Sequence, residues 1–331
     1  MTNPAAARVA RMGWITVGIN LLVIVWGAFV RASGSGAGCG NHWPLCNGTV
    51  LPRDPGLETV VELTHRLTSG VALVAVVWLL VLARRHFAPR HRVRRAAWVA
   101  LVLIIVEALI GAGLVKWELV VDNDSMERVV VLGAHLVNTQ FLLAALALTA
   151  WWAAGRPGLA WRAREVPWAV LITLALLLVG ITGAIASLGN TLFPAATLRE
   201  GVLQDLDPQS HLLLRLRILH PLLAVLAGVA VVVAATLATR RSAAPGDASA
   251  MSHRLAAVVL IQWTLGAVTL LTLAPIPMQL LHLFTADVLW ICWVLWLAAL
   301  WSAQPSGASR TSDATARAAS ASNTDPAPSS R

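Results

Sequence analysis

The sequence predicts an all-α polytopic membrane protein, with eight transmembrane helices arranged as two pseudo-symmetric four-helix bundles. Three observations predict it. Of the 331 residues, 57% are hydrophobic and only 12% charged, and the apolar ones fall in runs of about 20, enough to cross a hydrocarbon core of about 30 Å. The charges collect between those runs. The second half of the chain repeats the pattern of the first.

The runs lie at about residues 12–32, 60–83, 96–116, 129–154, 167–187, 211–239, 255–273 and 278–301. The N-terminal arm, the loops after even-numbered spans and the C-terminal tail hold 17 Lys and Arg against 4 Asp and Glu, whereas the opposite loops, with Arg31 and Lys116 at the span edges beside them, hold 5 against 9. By the positive-inside rule both termini are cytoplasmic. The formal charge of +9 follows from this asymmetry and gives no reason to expect nucleic acid as a partner; membrane lipid is the expected surround. The apolar part of the first span exceeds the usual signal-peptide core, and seven spans follow it, so it reads as a retained helix. The organisation is then an arm at 1–11, a first bundle at 12–154, a cytoplasmic linker at 155–166, a second bundle at 167–301 and a Ser/Ala/Pro-rich tail at 302–331. The tail has no periodic apolar face and reads as disordered.

Sliding the chain by 155 positions places His65 on His220, Glu107 on Gln262 and Gly111 on Gly266. His135 pairs with His282 at an offset of 147, the difference falling in a shorter loop, and Gly27-Ala28 pairs with Gly183-Ala184 at 156. An offset of four spans keeps direction, so the repeats are parallel, related by an axis along the membrane normal.

Four histidines lie within spans, all on even-numbered helices near their outer ends: His65, His135, His220 and His282. An ionisable group in hydrocarbon is a functional candidate by default, although interhelical hydrogen bonds are the simpler alternative. Two imidazoles per bundle, in one layer, suit the axial ligation of a haem iron in each half. Zinc fits less well, because neither half gathers three or four His, Cys or Asp ligands. The remaining histidines, His42, His86, His91, His211 and His253, lie in or beside loops and read as solvated.

The halves differ beside their histidines. Glu62 stands three residues before His65, and Arg217 stands three before His220. An i,i+3 pair shares a helix face. Arg217 suits porphyrin propionates, and Arg66 is a second such partner. Glu62 would repel propionates but can handle protons; a salt bridge to Arg66, four residues on, is its structural alternative. The second half therefore reads as holding a permanent haem, and the first as doing chemistry. In the first outer loop Cys39 and Cys46 face the oxidising side, where a disulfide can be a staple or a redox partner. Cys292, in the eighth span, reads as packing.

The run Val30-Arg31-Ala-Ser-Gly-Ser-Gly, followed by Cys39, Trp43-Pro44-Leu45-Cys46 and Glu62-Leu-Thr-His65-Arg66, resembles the haem A synthase family, as do Arg217-Ile-Leu-His220-Pro221 and Gln279-Leu-Leu-His282. The resemblance spans about residues 12–301. It implies a bacterial plasma-membrane enzyme that oxidises a ring methyl of haem O to the formyl group of haem A. It also implies that His220 and His282 hold a cofactor haem b, that His65 and His135 hold the substrate, and that Glu62 is catalytic. Haem O synthase and an electron donor or thiol–disulfide partner are implied as associates. One departure stands out: some bacterial members carry a second cysteine pair between the fifth and sixth spans, and residues 188–210 contain no cysteine. The rival readings are a non-catalytic b-type cytochrome and a secondary transporter.

Overall fold

The computed structural model describes residues 4–160, 163–241 and 246–302; the expected disordered tail from 303 onward, and residues 161–162 of the linker, lie outside them. Ten helices are described: α1 (Pro4–Ala32), α2 (Leu57–His86), α3 (Arg92–Lys116), α4 (Met126–Ala153), α5 (Val166–Leu192), α6 (Leu198–Leu206), α7 (Leu212–Arg217), α8 (Leu219–Arg241), α9 (Gly246–Leu271) and α10 (Ile276–Leu300). Eight segments are long and apolar enough to cross a membrane, with α7 and α8 together forming one of them. The chain is a multi-pass helical membrane protein.

The helices run past the apolar stretches by up to about two turns, because polar residues cap them outside the hydrocarbon. Ser125 caps α4 by accepting from the Arg128 N–H, and His91 caps α3 by accepting from the Val93 N–H. Burial, and secondarily the adjacent Arg92, hold the His91 pKa below its ordinary value, which suits a ring nitrogen acting as acceptor. Arg84, Arg85 and His86 end α2, and Arg240 and Arg241 end α8, where cations complement the helix dipole. The sixth span breaks between α7 and α8 because Pro221 has no N–H and crowds the carbonyl of Arg217, the last residue of α7. Helix α6 lies in a loop and was not expected; Thr197 caps it by accepting from the Glu200 N–H, while Glu200 accepts from the Ala196 N–H.

Helices α1 to α4 pack on one another, and α5, α7, α8, α9 and α10 do the same. The two sets meet chiefly where α4 lies against α10 and α5. The faces turned away are apolar: Leu222, Val225, Leu226, Val229 and Val233 run as an exposed stripe along α8, as lipid contact requires. The core holds what a soluble protein would leave outside. Thr16, Asn20, Asn138, Gln140, Thr149 and Asp287 are buried, together with Trp293 and Trp296, whose rings stack 5.3 Å apart. The indole N–H groups of Trp290, Trp293 and Trp296 donate to the Gln140 carbonyl, Thr173 Oγ1 and Thr239 Oγ1 respectively, so these tryptophans fasten α10 to its neighbours as well as filling space.

Close approach of α1 to α4 depends on Gly13, where an added Cβ would sit 2.8 Å from the Ala150 Cβ and 3.0 Å from its backbone Cα. Gly18 has nothing within 4 Å. Gly13→Val is therefore expected to destabilise the chain by about 1–3 kcal/mol, lowering its thermal unfolding midpoint in detergent. Gly18→Ala should leave the midpoint unchanged or slightly raised.

Candidate functional site: two histidine pairs beneath the cysteine loop

Each of the four helices that carry an intramembrane histidine begins at the cysteine-loop end. His65, His135 and His282 follow the starts of α2, α4 and α10 by eight, nine and six residues, and His220, the second residue of α8, follows the start of the α7–α8 span by eight. At 1.5 Å per residue, this puts them about 9–14 Å down their helices.

In the second pair the two rings meet edge-on. The imidazole centroids of His220 and His282 lie 6.2 Å apart with planes at 85°. His220 Nδ1 lies 3.2 Å from the Val179 carbonyl, to which it donates, and 3.4 Å from Thr182 Oγ1, which leaves the lone pair on its Nε2. Beside His282 is Gln262, whose amide Nε2 is 3.3 Å from the ring Nε2 and donates to the His282 carbonyl at 3.2 Å. Gly183 and Gly266 make room for the rings: an added Cβ would come within 2.9 Å of the His220 Cε1 and 3.1 Å of the His282 Cε1.

The first pair is built on the same plan with different chemistry. At Gly27, the repeat partner of Gly183, an added Cβ would sit 2.8 Å from the His65 Cε1. At Glu107, the partner of Gln262, a carboxylate replaces the amide. Its Oε1 is 3.2 Å from His135 Nδ1 and accepts from Thr139 Oγ1, while its Oε2 accepts from Asn138 Nδ2 at 2.5 Å. His135 Nδ1 lies at ion-pair distance from Glu107 without making a hydrogen bond to it. His65 is within electrostatic reach of His135 and Glu107. Its Nδ1 and that of His282 are buried without a hydrogen-bond partner.

Glu62 is only 3% exposed. Arg66 donates to its Oε1 from Nε at 3.1 Å and from Nη2 at 2.5 Å, and the Cys39 backbone N–H donates to its Oε2 at 2.8 Å. Arg66 spends its Nη1 on the carbonyls of His42 and Leu45. The Cys39–Cys46 disulfide is formed, with 4.3 Å between Cα atoms. Its loop is seated on α2 through Thr59 Oγ1 donating to the Gly38 carbonyl at 2.7 Å. Gly38 is required there, since any Cβ would strike the Glu58 backbone at 2.3 Å. The sequence-derived ion pair Glu62–Arg66 thus exists, and the loop adds a third member that spacing does not reveal. His42 contributes a carbonyl to this network.

Arg217 is likewise engaged. Its Nε and Nη2 reach Asp205 Oδ1 at 2.7 and 2.6 Å, its Nη1 donates to Asn190 Oδ1 at 2.6 Å, and Nη2 reaches the Gly201 carbonyl. It fastens α6 over the second histidine pair. The loop histidine His211 caps α7 by accepting from the Leu213 N–H. Cys292 is half-buried and unpaired.

Two polar contacts join the two helix sets at repeat-related positions. Gln140 and Asp287, 147 residues apart, are bonded from Nε2 to Oδ1 at 2.8 Å. Arg31 and Ser187, 156 apart, are bonded from Nη2 to Oγ at 2.6 Å. The histidine and glycine alignments already use these offsets, so applying them to Asp287 and Arg31 is the sequence signal that could have found both contacts.

Residues 10–57 and 56–294 match the COX15-CtaA family, described as cytochrome oxidase assembly protein. The chain is 44% identical over 296 residues to a protoheme IX farnesyltransferase of Thermus thermophilus, a match covering 89% of this chain and 48% of that one. It is 38% identical over 108 residues to a heme A synthase of Staphylococcus haemolyticus, covering 32% and 36% of the two chains, and 41% identical over 97 residues to a heme A synthase of Bacillus cereus, covering 29% and 31%. The chain thus spans about half the length of the Thermus relative, and its matches to the two heme A synthases cover about a third of each.

Replacing Arg217 with Ala would leave Asp205 and Asn190 without their shared donor. Loss of hydrogen bonds to a charged group of this kind costs about 1.5–3 kcal/mol. Amide hydrogen exchange across Leu198–Leu206 should accelerate by about tenfold or more, while α9 remains as protected as in the parent.

Proposed function

Because the chain belongs to the COX15-CtaA family of cytochrome oxidase assembly proteins, we propose that it is a haem A synthase, oxidising a ring methyl of haem O to a formyl group. The observation that carries this reading is the placement of Glu62: a shielded carboxylate, clamped by Arg66 and the Cys39 N–H, three residues from His65 on the same helix face. The equivalent position beside His220 carries Arg217, already neutralised by Asp205. One half is thus equipped for proton transfer, and the other for holding.

The residues present fit a porphyrin in each half. In the second half two imidazoles face one space, and Gly183 and Gly266 leave room beside them, so His220 and His282 would be the residues to hold a haem iron. This supports a cofactor haem b there. Gly27 and Gly183 hold open the space that a side chain would take from the rings. When bound, the cofactor supplies a one-electron relay. The chain's own residues do the rest. His65 and His135 would seat the substrate haem, and Glu107 lies against the His135 ring. Taking the methyl to a formyl group with water as the oxygen source releases four electrons and four protons, so the electrons must pass to an external acceptor of the membrane. Glu62, kept as an acceptor by its donors, would take up protons one at a time. Burial beneath the disulfide loop keeps bulk water from Glu62.

The name of the Thermus relative describes a protein about twice as long as the matched region. Farnesyl transfer to protohaem yields the haem O that this chain would consume, so the two reactions are consecutive, and haem O synthase is the proposed upstream partner. The cysteine-loop end faces outward and the arginine-rich end faces the cytoplasm of a bacterium, with two four-helix bundles as structural units at 12–154 and 167–301.

The test is co-expression with a haem O source, followed by extraction and chromatography of the haems. The parent should yield haem A. Glu62→Gln should keep its b-type spectrum and lower haem A output by about 10²–10⁴-fold, the usual worth of a general base. His220→Ala or His282→Ala should lose the b-type spectrum itself. If Glu62→Gln makes haem A at the parental rate, the catalytic role is wrong. If the parent binds haem but never makes haem A, the b-type cytochrome reading replaces this one.

A further inference from the structure

One guanidinium of the first helix set reaches into the second and still has a donor to give. Arg31, in the last turn of α1, donates from Nη2 to Ser187 Oγ on α5 at 2.6 Å. Ser187 donates onward to Gln279 Oε1 on α10 at 2.5 Å, and Gln279 Nε2 donates to the Ala274 carbonyl at 2.6 Å. The polar atoms that anchor the arginine are thus spent on one another. The Arg31 Nη1 is shut off from solvent and has no hydrogen-bond partner. Among the described residues no carboxylate pairs with Arg31. By contrast Arg217, the arginine that spacing places beside His220, is occupied by Asp205, Asn190 and the Gly201 carbonyl.

The anchors fix the level of the guanidinium. Ser187 lies four residues beyond Gly183 on α5, and Gly183 is the residue against which His220 packs, where an added Cβ would come within 2.9 Å of the ring. Gln279 lies three residues before His282 on α10. Helix α5 runs toward the cysteine-loop end and α10 away from it, so both anchors stand about one helical turn to that side of the second histidine pair. Arg31, held by them, sits at the rim of the pocket that His220 and His282 face. A buried cation with an idle N–H and no counter-ion is costly unless an anion joins it. The planar fork of a guanidinium is matched to a carboxylate, and a porphyrin held by the two imidazoles would bring propionate carboxylates to that rim.

We propose that Arg31, a residue of the first half, binds a propionate of the porphyrin held by His220 and His282, so that the second pocket is completed across the seam. This rests on the haem-site reading, and the shared chemistry, an oxyanion, could also be met by a phospholipid headgroup. In the test the full-length chain, loaded with protohaem IX or with its dimethyl ester, is mixed with excess apomyoglobin. The loss of the Soret component that His220→Ala abolishes is then timed. From the parent, the ester should leave about tenfold or more faster than the free acid. Arg31→Met should bring the two rates together by hastening the free acid alone, and Arg31→Lys should keep part of the difference. Arg199→Met, which removes an exposed cation of α6, should keep all of it. If Arg31→Met does not fold, Arg31→Gln, which retains a donor for Ser187, carries the comparison. Equal rates from the parent, or the full parental difference in a folded Arg31 variant, overturn the proposal. That full difference together with loss of co-purified anionic phospholipid overturns it by reassigning Arg31 to a headgroup. A parent with no Soret component that depends on His220 overturns the haem-site reading as well.

Discussion

Three of the four imidazole rings in this bundle sit where the facing helix gives up a side chain. Gly27 opposite His65, Gly183 opposite His220 and Gly266 opposite His282 each leave a space that one methyl group would close. In hydrocarbon a polar ring needs both a partner and room, and glycine supplies the room without breaking helical hydrogen bonds. The depth of the histidine layer, the packing of α1 on α2 and of α5 on the α7–α8 span, and the placing of Glu62 all follow from these approaches.

Upon that shared frame the halves carry different electrostatics. Glu107 and Gln262 occupy equivalent positions and both touch a histidine, yet only one brings charge. Glu62 and Arg217 are equivalent and opposite in sign, and each is neutralised locally, by Arg66 and by Asp205. Neutralisation differs in reach: Arg66 is the next turn of the same helix, whereas Asp205 comes from α6 in a separate loop. The first half is tied to its disulfide loop through Glu62 itself, and the second to its covering helix through Arg217.

Much of this was legible in the chain. Eight apolar runs gave eight spans, because hydrocarbon thickness dictates length and little else competes with it. The helix ends were less legible: Ser125 and His91 cap outside the apolar runs, where hydropathy carries no signal. Helix α6 was missed because its nine residues are too few and too polar on average to read as a span, and depend on Thr197, Glu200 and Arg217 for support. The Glu62–Arg66 pair followed from i,i+4 spacing. Its bond to the Cys39 N–H did not, since loop closure is a matter of three-dimensional path. The Arg31–Ser187 contact went unread because Arg31 sits at a span end and counts, in a charge tally, as an ordinary loop cation.

The contacts between Gln140 and Asp287 and between Arg31 and Ser187 bear on how the two halves recognise each other. Two copies of the first half, brought together along the same seam, would set arginine against arginine and glutamine against glutamine. Two copies of the second would bury a pair of facing aspartates. Only unlike halves satisfy both positions, so these two sites favour a half that meets its sibling over one that meets a copy of itself.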